Sequence, residues 1–155
     1  MNAQMSLRSC NIAVLLVACL SGTAVQAGDI SVTGAYVRMV PQGVPTTAAF
    51  MTLRNAGTTD RKLLRVDSPA AKTVELHNHI NDNGVMKMRQ VREIEIKAKG
   101  QAELKPGSYH VMMIDLRQVL KDGEKVPLTL SFDDGSSEKV EAAVKNPVPQ
   151  TPAPK

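Results

Sequence analysis

The sequence predicts an all-β domain, built as an antiparallel sandwich or barrel. Turn signals rich in Gly, Asp and Asn recur every 8 to 12 residues, from "NAGTTD" at Asn55 to "DDG" at 133–135. The segments between them are short and either alternate polar with apolar residues or are rich in β-branched residues. No helical period is evident after residue 28. This rhythm is typical of antiparallel β proteins.

Eight segments are expected to form the strands. The first two carry Val, Thr and Phe, which favour strands, and the third and fourth flank the turn "DNG". The fifth and sixth are bounded by "KAKG" and "KPG", and the last two by "KDG" and "DDG". In chain order the predicted strands are "SVTGAYVRMV", "TAAFMTLRN", "KTVELHNH", "VMKMRQV", "IEI", "YHVMMIDL", "PLTLSF" and "EKVEAAV".

Residues 1–27 are predicted to be a cleavable signal peptide. Arg8 supplies the positive charge, Ile12 to Leu20 form a short apolar run, and small residues lead to Ala27. The apolar run is far shorter than the ~20 residues that a membrane-spanning helix needs. We therefore expect an exported protein that starts near Gly28 and has no membrane span.

A competing interpretation concerns "LVAC", residues 16–19, which resembles a lipoprotein processing site that would leave Cys19 lipidated. We favour it less, because that cut leaves a short apolar run and no role for "AVQA". Both cysteines, Cys10 and Cys19, precede the signal-peptidase site. A chain cut after Ala27 thus has no thiol, so a soft metal would have to use methionine sulfur.

The remaining chain is expected to be one domain, residues 28–145, followed by a disordered tail. The tail, residues 146–155, reads "NPVPQTPAPK" and is too rich in proline to join a sheet. The whole chain carries a formal charge of +4, without a Lys/Arg cluster interleaved with aromatic residues. We therefore expect no nucleic-acid partner. We expect the domain to be a monomer.

Two histidines and two methionines flank one predicted turn. In "TVELHNHI" the polar and apolar positions alternate, so a strand presents His77 and His79 on the same face. Met86 and Met88 share a face of the next segment. If residues 81–84 form the connection, His77 lies opposite Met88 and His79 opposite Met86, with Cβ atoms about 5 Å apart.

The third histidine, His110, lies two residues before Met112 and points the same way from a strand. If this segment meets the hairpin, His77, Met88, His110 and Met112 form a site of two nitrogens and two sulfurs. Thioethers suit Cu(I), whereas zinc and calcium prefer other donors. A blue-copper centre would need a cysteine, so storage or transfer of Cu(I) is favoured over redox cycling.

Simpler roles remain open for several of these residues, because methionine is a common core residue and a single histidine is usually not a ligand. Met39 and Met113 are predicted to lie in the core. Met51 is also predicted to be a core residue, with a possible place near the site. His79 and Met86 are either supporting residues or merely neighbours of the site.

The spacing His77, ten residues, Met88, twenty-one residues, His110, one residue, Met112 resembles the signature of the periplasmic copper chaperone family called PCuAC. The surrounding words "AAFMTLRN", "GVMKMR" and "LKPGSYHVMM" are also similar to the family. The resemblance implies a cupredoxin-like β-sandwich, or Greek-key barrel, that binds one Cu(I) through these four side chains. It further implies a periplasmic carrier that supplies copper to the CuA centre of cytochrome c oxidase, alongside Sco-type proteins.

Two features of the sequence depart from the pattern of the PCuAC family. His79 is an extra imidazole that could add affinity or capture Cu(II), and the tail after Asn146 has no His or Met for a second site.

The main alternative is a copper-free extracytoplasmic sandwich that serves as an adhesion or assembly module. An enzyme is not expected, because no nucleophile motif such as G-x-S-x-G is present and all three histidines fall in one candidate site.

Overall fold

The computed structural model of the protein describes residues 28–146. The predicted signal peptide, and the tail beyond Asn146, lie outside these residues. The described part of the chain folds into ten strands without a helix, which confirms the all-β prediction. Accordingly, no helix within it is long and apolar enough to cross a membrane.

The strands include all eight predicted segments and two more. In chain order they are β1 (Ile30–Arg38), β2 (Thr46–Asn55), β3 (Arg61–Asp67), β4 (Ala71–Asp82), β5 (Val85–Gln90), β6 (Ile94–Ile96), β7 (Gln101–Leu104), β8 (His110–Leu116), β9 (Lys125–Phe132) and β10 (Ser137–Lys145). The strands β3 and β7 are absent from the prediction, because "RKLLRVD" does not alternate and "QAEL" has little intrinsic preference for a strand. Both form by pairing with strands that are distant in sequence.

The strands form one continuous sheet in the order β5-β4-β8-β2-β1-β10-β9-β3-β6, with β7 paired to β2. The sheet folds over on itself, so that β3 contacts β4 and β6 contacts β7. All neighbours are antiparallel except β1 and β10, the first and last strands, which pair in parallel. The register between β1 and β2 shifts between Thr33 and Tyr36, where Gly34 adopts a φ of 63° that favours glycine.

The core lies between the two halves of the folded sheet. Alternate residues of β9 are buried, as are alternate residues of β2 and β8 on the face that points inward. Met51 and Met113 belong to this core, as predicted, and Met39 packs against it. The inward face of these strands is therefore apolar, which leaves the outward face of β4, β5 and β8 for polar side chains.

Asn55 is the polar residue that fastens the end of β2 to the loop that follows. Its side chain is fully buried, and its amide donates to the carbonyls of Thr59, at 2.8 Å, and Ile96, at 3.1 Å. Its Oδ1 accepts the backbone N–H of Gly57 at 2.9 Å. These three bonds hold the loop against β6.

Replacing Asn55 by alanine is expected to lower the free energy of unfolding by about 3 kcal/mol, because the Gly57 N–H and the Ile96 carbonyl lose buried hydrogen bonds and the Thr59 carbonyl loses a partly buried one. Asn55→Asp keeps an acceptor for Gly57 and loses both donated bonds, so it should be destabilised to a similar degree. Urea unfolding of the metal-free protein measures both. A loss below about 0.5 kcal/mol in either variant would contradict this role.

Candidate metal centre

The hairpin of β4 and β5 is closed by a two-residue turn. Asn83 and Gly84 have φ values of 53° and 85°, the left-handed pair that a type I′ turn requires. Asp82 pairs with Val85 across it, and the Asn81 side chain accepts the N–H of Gly84 at 2.7 Å. The connection is therefore one residue further along the chain than the sequence predicts.

This turn changes the predicted cross-strand pairs. His79 lies opposite Met88, His77 opposite Gln90, and Met86 opposite Asn81, so the predicted pairs His77 with Met88 and His79 with Met86 are wrong. The shift is by two residues, and an even shift keeps every side chain on its predicted face. Met88 is thus a direct neighbour of His79 and a diagonal neighbour of His77.

The two ligand-bearing segments meet, because β4 pairs with β8. His77 lies directly opposite His110, and Glu75 lies opposite Met112. The rings of His77 and His110 are 5.9 Å apart, and the ring of His79 stacks on that of His110 at 4.9 Å. All three histidines therefore form one cluster, whereas the sequence left open whether the two segments meet.

Each histidine of this cluster has one ring nitrogen that is buried and has no hydrogen-bond partner. These atoms are Nδ1 of His77, Nδ1 of His79 and Nε2 of His110. An unpaired buried polar atom is costly, and such atoms in native structures usually indicate a function or an absent ligand. Three such nitrogen atoms in adjacent rings are the strongest indication that this cluster binds a ligand.

The other nitrogens of two rings are held by the protein. The Nδ1–H of His110 donates to the carbonyl of Ser108 at 2.9 Å, and the Nε2–H of His77 donates to the Glu75 carboxylate at 2.8 Å. Since both acceptors require a proton on the bonded nitrogen, the opposite nitrogen of each neutral ring carries a free lone pair. Hydrogen bonds of this kind commonly orient histidines that bind metals.

His110 is the most enclosed of the three histidines, at 2% exposure. Burial lowers its pKa below the ordinary histidine value, and the nearby His79, His77 and Arg38 lower it further, against the opposing hydrogen bond to Ser108. The lowered pKa keeps His110 neutral at physiological pH. Its Nε2 lone pair is therefore available without the loss of a proton.

The methionines differ in how close they come to this cluster. Met112 is half-buried on the face of β8 that carries His110, and Met88 is 43% exposed beside His79 on the edge strand. Met86 is more exposed and lies nearer the hairpin turn. Met51 points into the core, whereas its neighbour Phe50 packs its ring 6.3 Å from that of His110. The structure thus does not bring Met51 to the cluster.

Within residues 28–146, no three His, Cys, Asp or Glu side chains are already arranged around a single point suited to a metal ion. The histidine nitrogens are adjacent but do not converge in this conformation. Binding an ion here therefore requires the thioethers, a rotation of the rings, or both.

Sequence reasoning missed two residues that support the cluster, Glu75 and Ser108. The position of Glu75, two residues before His77 on the same strand face, could have indicated its hydrogen bond. The role of Ser108 could not be predicted, because it depends on a backbone carbonyl just before β8.

Residues 30–144 match the family model described as "Putative lipoprotein LpqE-like". A relative from Leifsonia xyli subsp. xyli, named "Putative lipoprotein Lxx21020", is 33% identical over 122 residues, covering 78% of this chain and 72% of the relative.

Two solved structures are also similar. The solution structure of CuI-DR1885 from Deinococcus radiodurans has 32% identity and a TM-score of 0.63, covering 83% of this chain and 85% of that chain. The copper-bound PCuAC domain from PmoF2 has a TM-score of 0.67 and covers 77% of this chain and 95% of that chain. Its identity is 21%, so this likeness concerns the fold. The chain therefore belongs to the LpqE-like family, and its domain has the fold of the PCuAC domains.

Proposed function

We propose that this protein is a copper carrier that binds one Cu(I) ion through His77, Met88, His110 and Met112. The observation that carries the proposal is that His77 and His110, which lie directly opposite each other on adjacent strands, each keep one buried ring nitrogen without a partner. Met112 lies beside this pair on β8, and Met88 lies diagonally across on β5.

The donor chemistry supports Cu(I) as the cargo. Thioether sulfur is a weak ligand for hard ions and a good one for Cu(I), and imidazole is compatible with it. The similar structure from Deinococcus radiodurans, at 32% identity, is that of CuI-DR1885, and this supports Cu(I) as the cargo. Two neutral imidazoles and two neutral thioethers leave the charge of the ion uncompensated, so the ion can pass to a stronger donor set.

The position of Met88 suggests how copper leaves. Met88 lies on the edge strand β5, whose residues are all exposed, while His110 is enclosed. A recipient protein can therefore approach from the β5 side and replace the Met88 sulfur first, while the histidines still hold the ion. We propose the CuA-bearing subunit of cytochrome c oxidase and Sco-type proteins as recipients in the periplasm.

The site of action is outside the cytoplasm in either version of export. A cut after Ala27 gives a free protein, and lipidation of Cys19 gives an anchored one. The word lipoprotein in the names of the family and the relative adds weight to the second version. The intact mass of the exported protein distinguishes them, because only a Cys19 N-terminus carries acyl chains. A Cys19→Ala variant should change that mass only if the residue is lipidated.

An anaerobic Cu(I) titration against a chromophoric chelator tests the proposed function. The expected result is one tight equivalent per chain. Weak binding without a defined stoichiometry would contradict the proposal and favour the copper-free adhesion module. Turnover assays separately test for an enzyme.

Replacing Glu75 by glutamine is expected to weaken Cu(I) binding by about tenfold, the lower end of the effects seen when a group that orients a metal ligand is changed. Glutamine can still accept the hydrogen bond from the Nε2–H of His77, but it lacks the negative charge that makes the opposite ring nitrogen a stronger metal ligand. Glu103→Gln, which changes an exposed carboxylate on β7, is the matched control. Equal Cu(I) affinities in the two variants would show that Glu75 does not support the copper site.

Acid is expected to weaken Cu(I) binding, because the ligand nitrogens must be free of protons. The pKa of His110 is lowered by burial, so protons compete at that nitrogen only below the ordinary histidine value of about 6.5. Affinity should therefore hold between pH 8 and 7 and fall below about pH 6. The same affinity at pH 5 and pH 7.5 would show that the imidazoles are not ligands.

A further inference from the structure

We propose that His79 gives this site a second binding mode, in which His77, His79 and His110 together hold Cu(II). The proposal rests on the proposed function only in sharing two of its ligands. The Cu(I) mode uses two imidazoles and two thioethers, whereas the Cu(II) mode uses three imidazoles. His79 is the residue that distinguishes the two modes.

The backbone places the three histidines where one ion can reach them all. His77 and His79 are successive residues on the same face of β4, and His110 lies directly opposite His77 on the antiparallel neighbour. Same-face residues of a strand are about 7 Å apart, and directly opposed Cβ atoms about 5 Å apart. Three imidazoles on so small a triangle can reach a common ion at about 2 Å from each nitrogen.

Each of the three rings also has a nitrogen that makes no hydrogen bond within the described residues. One nitrogen of each ring is buried without a partner, including Nδ1 of His79, which has no place in the Cu(I) ligand set. The rings of His79 and His110 are stacked at 4.9 Å, so their free nitrogens do not yet point at one centre. Convergence on one ion requires the ring of His79 to rotate, because the rings of His77 and His110 are held by their hydrogen bonds to Glu75 and Ser108.

The choice of ion follows from the donors. Imidazole suits Cu(II), and among the divalent first-row metals Cu(II) binds such sites most tightly. Thioethers favour Cu(I) instead. Met88 lies directly opposite His79, so the sulfur that serves Cu(I) and the nitrogen that serves Cu(II) come from neighbouring positions. Because His77 and His110 serve both ions, the two modes exclude each other.

The experiment measures Cu(I) and Cu(II) affinities separately in the wild type, His79→Gln and Met88→Leu. Cu(I) is titrated anaerobically, and Cu(II) sulfate is titrated against a competing chelator with detection by electron paramagnetic resonance. We expect His79→Gln to lower Cu(II) affinity by about 30-fold and Cu(I) affinity by less than about threefold, with the reverse pattern for Met88→Leu. Met86→Leu is the control that should change neither.

A spectroscopic signature and a competition complete the test. The Cu(II) spectrum should show three nitrogen ligands in the wild type and fewer in His79→Gln, and protein preloaded with Cu(I) should take up no Cu(II). A Cu(II) affinity that is unchanged in His79→Gln, or Cu(II) binding that persists beside bound Cu(I), would overturn this inference. Neither result would contradict the proposal that the protein carries Cu(I). Cu(II) binding that depends on His79, in a protein without tight Cu(I) binding, would support the inference and refute the proposed function.

Discussion

His110→Asn is expected to lower the Cu(I) affinity of this protein by about 100-fold or more, because it removes one of the two nitrogen donors. The nitrogen lost is Nε2, which is buried and has no partner in the protein. The Asn amide occupies the position of Nδ1 and can still donate to the Ser108 carbonyl. The change therefore removes the proposed ligand while retaining the hydrogen bond that positions it.

The burial of His110 makes a control for folding necessary. The circular dichroism spectrum and the thermal midpoint of the metal-free variant are compared with those of the wild type. His77→Asn, at a half-buried position on the opposite strand, is the second variant and should show a similar loss of affinity. If both variants fold and bind Cu(I) as tightly as the wild type, the histidine cluster is not the copper site.

The all-β fold could be predicted from the sequence because its strands are bounded by recognisable turns. The strands β3 and β7 could not, since their residues carry little local preference and depend on partners far along the chain. The parallel pairing of β1 with β10 could not be predicted from the sequence either. It joins the two ends of the domain, and no local pattern specifies which strands meet there.

The faces of the site residues could be predicted, but their pairing could not. Strand alternation alone places His77, His79, Met86 and Met88, and an even error in register leaves these faces unchanged. The pairing failed because Asn83 and Gly84, not Asn81 and Gly84, set the turn. The dipeptide Asn-Gly is the strongest short signal for a type I′ hairpin, and it should have been given the central positions.

The corrected register matters for the site. It places Met88 directly opposite His79, whose ring stacks on that of His110, so His79 lies between the methionine of β5 and the histidine of β8. It also moves Met86 towards the hairpin turn, opposite Asn81. Met86 is thereby a natural control for changes at Met88, because both are exposed methionines on the same face of β5.

The double variant Met88→Leu/Met112→Leu is expected to lower Cu(I) affinity by about 1,000-fold, because both soft donors are lost while the shape and apolar character of the side chains are kept. Leucine has nearly the volume of methionine, so the fold should be unchanged. The remaining histidines should still bind Cu(II). The measurement is the anaerobic chelator competition, with x-ray absorption used to detect sulfur around the bound ion.

The matched control is Met39→Leu/Met86→Leu, which makes the same chemical change twice at positions outside the proposed ligand set. Met39 packs against the core, and Met86 is exposed on β5. The control should keep wild-type Cu(I) affinity and the sulfur signal. If both double variants bind Cu(I) equally well, the thioethers are not ligands. A preference for Cu(I) would then have to arise from the imidazoles alone. Imidazole chemistry does not favour Cu(I) over Cu(II).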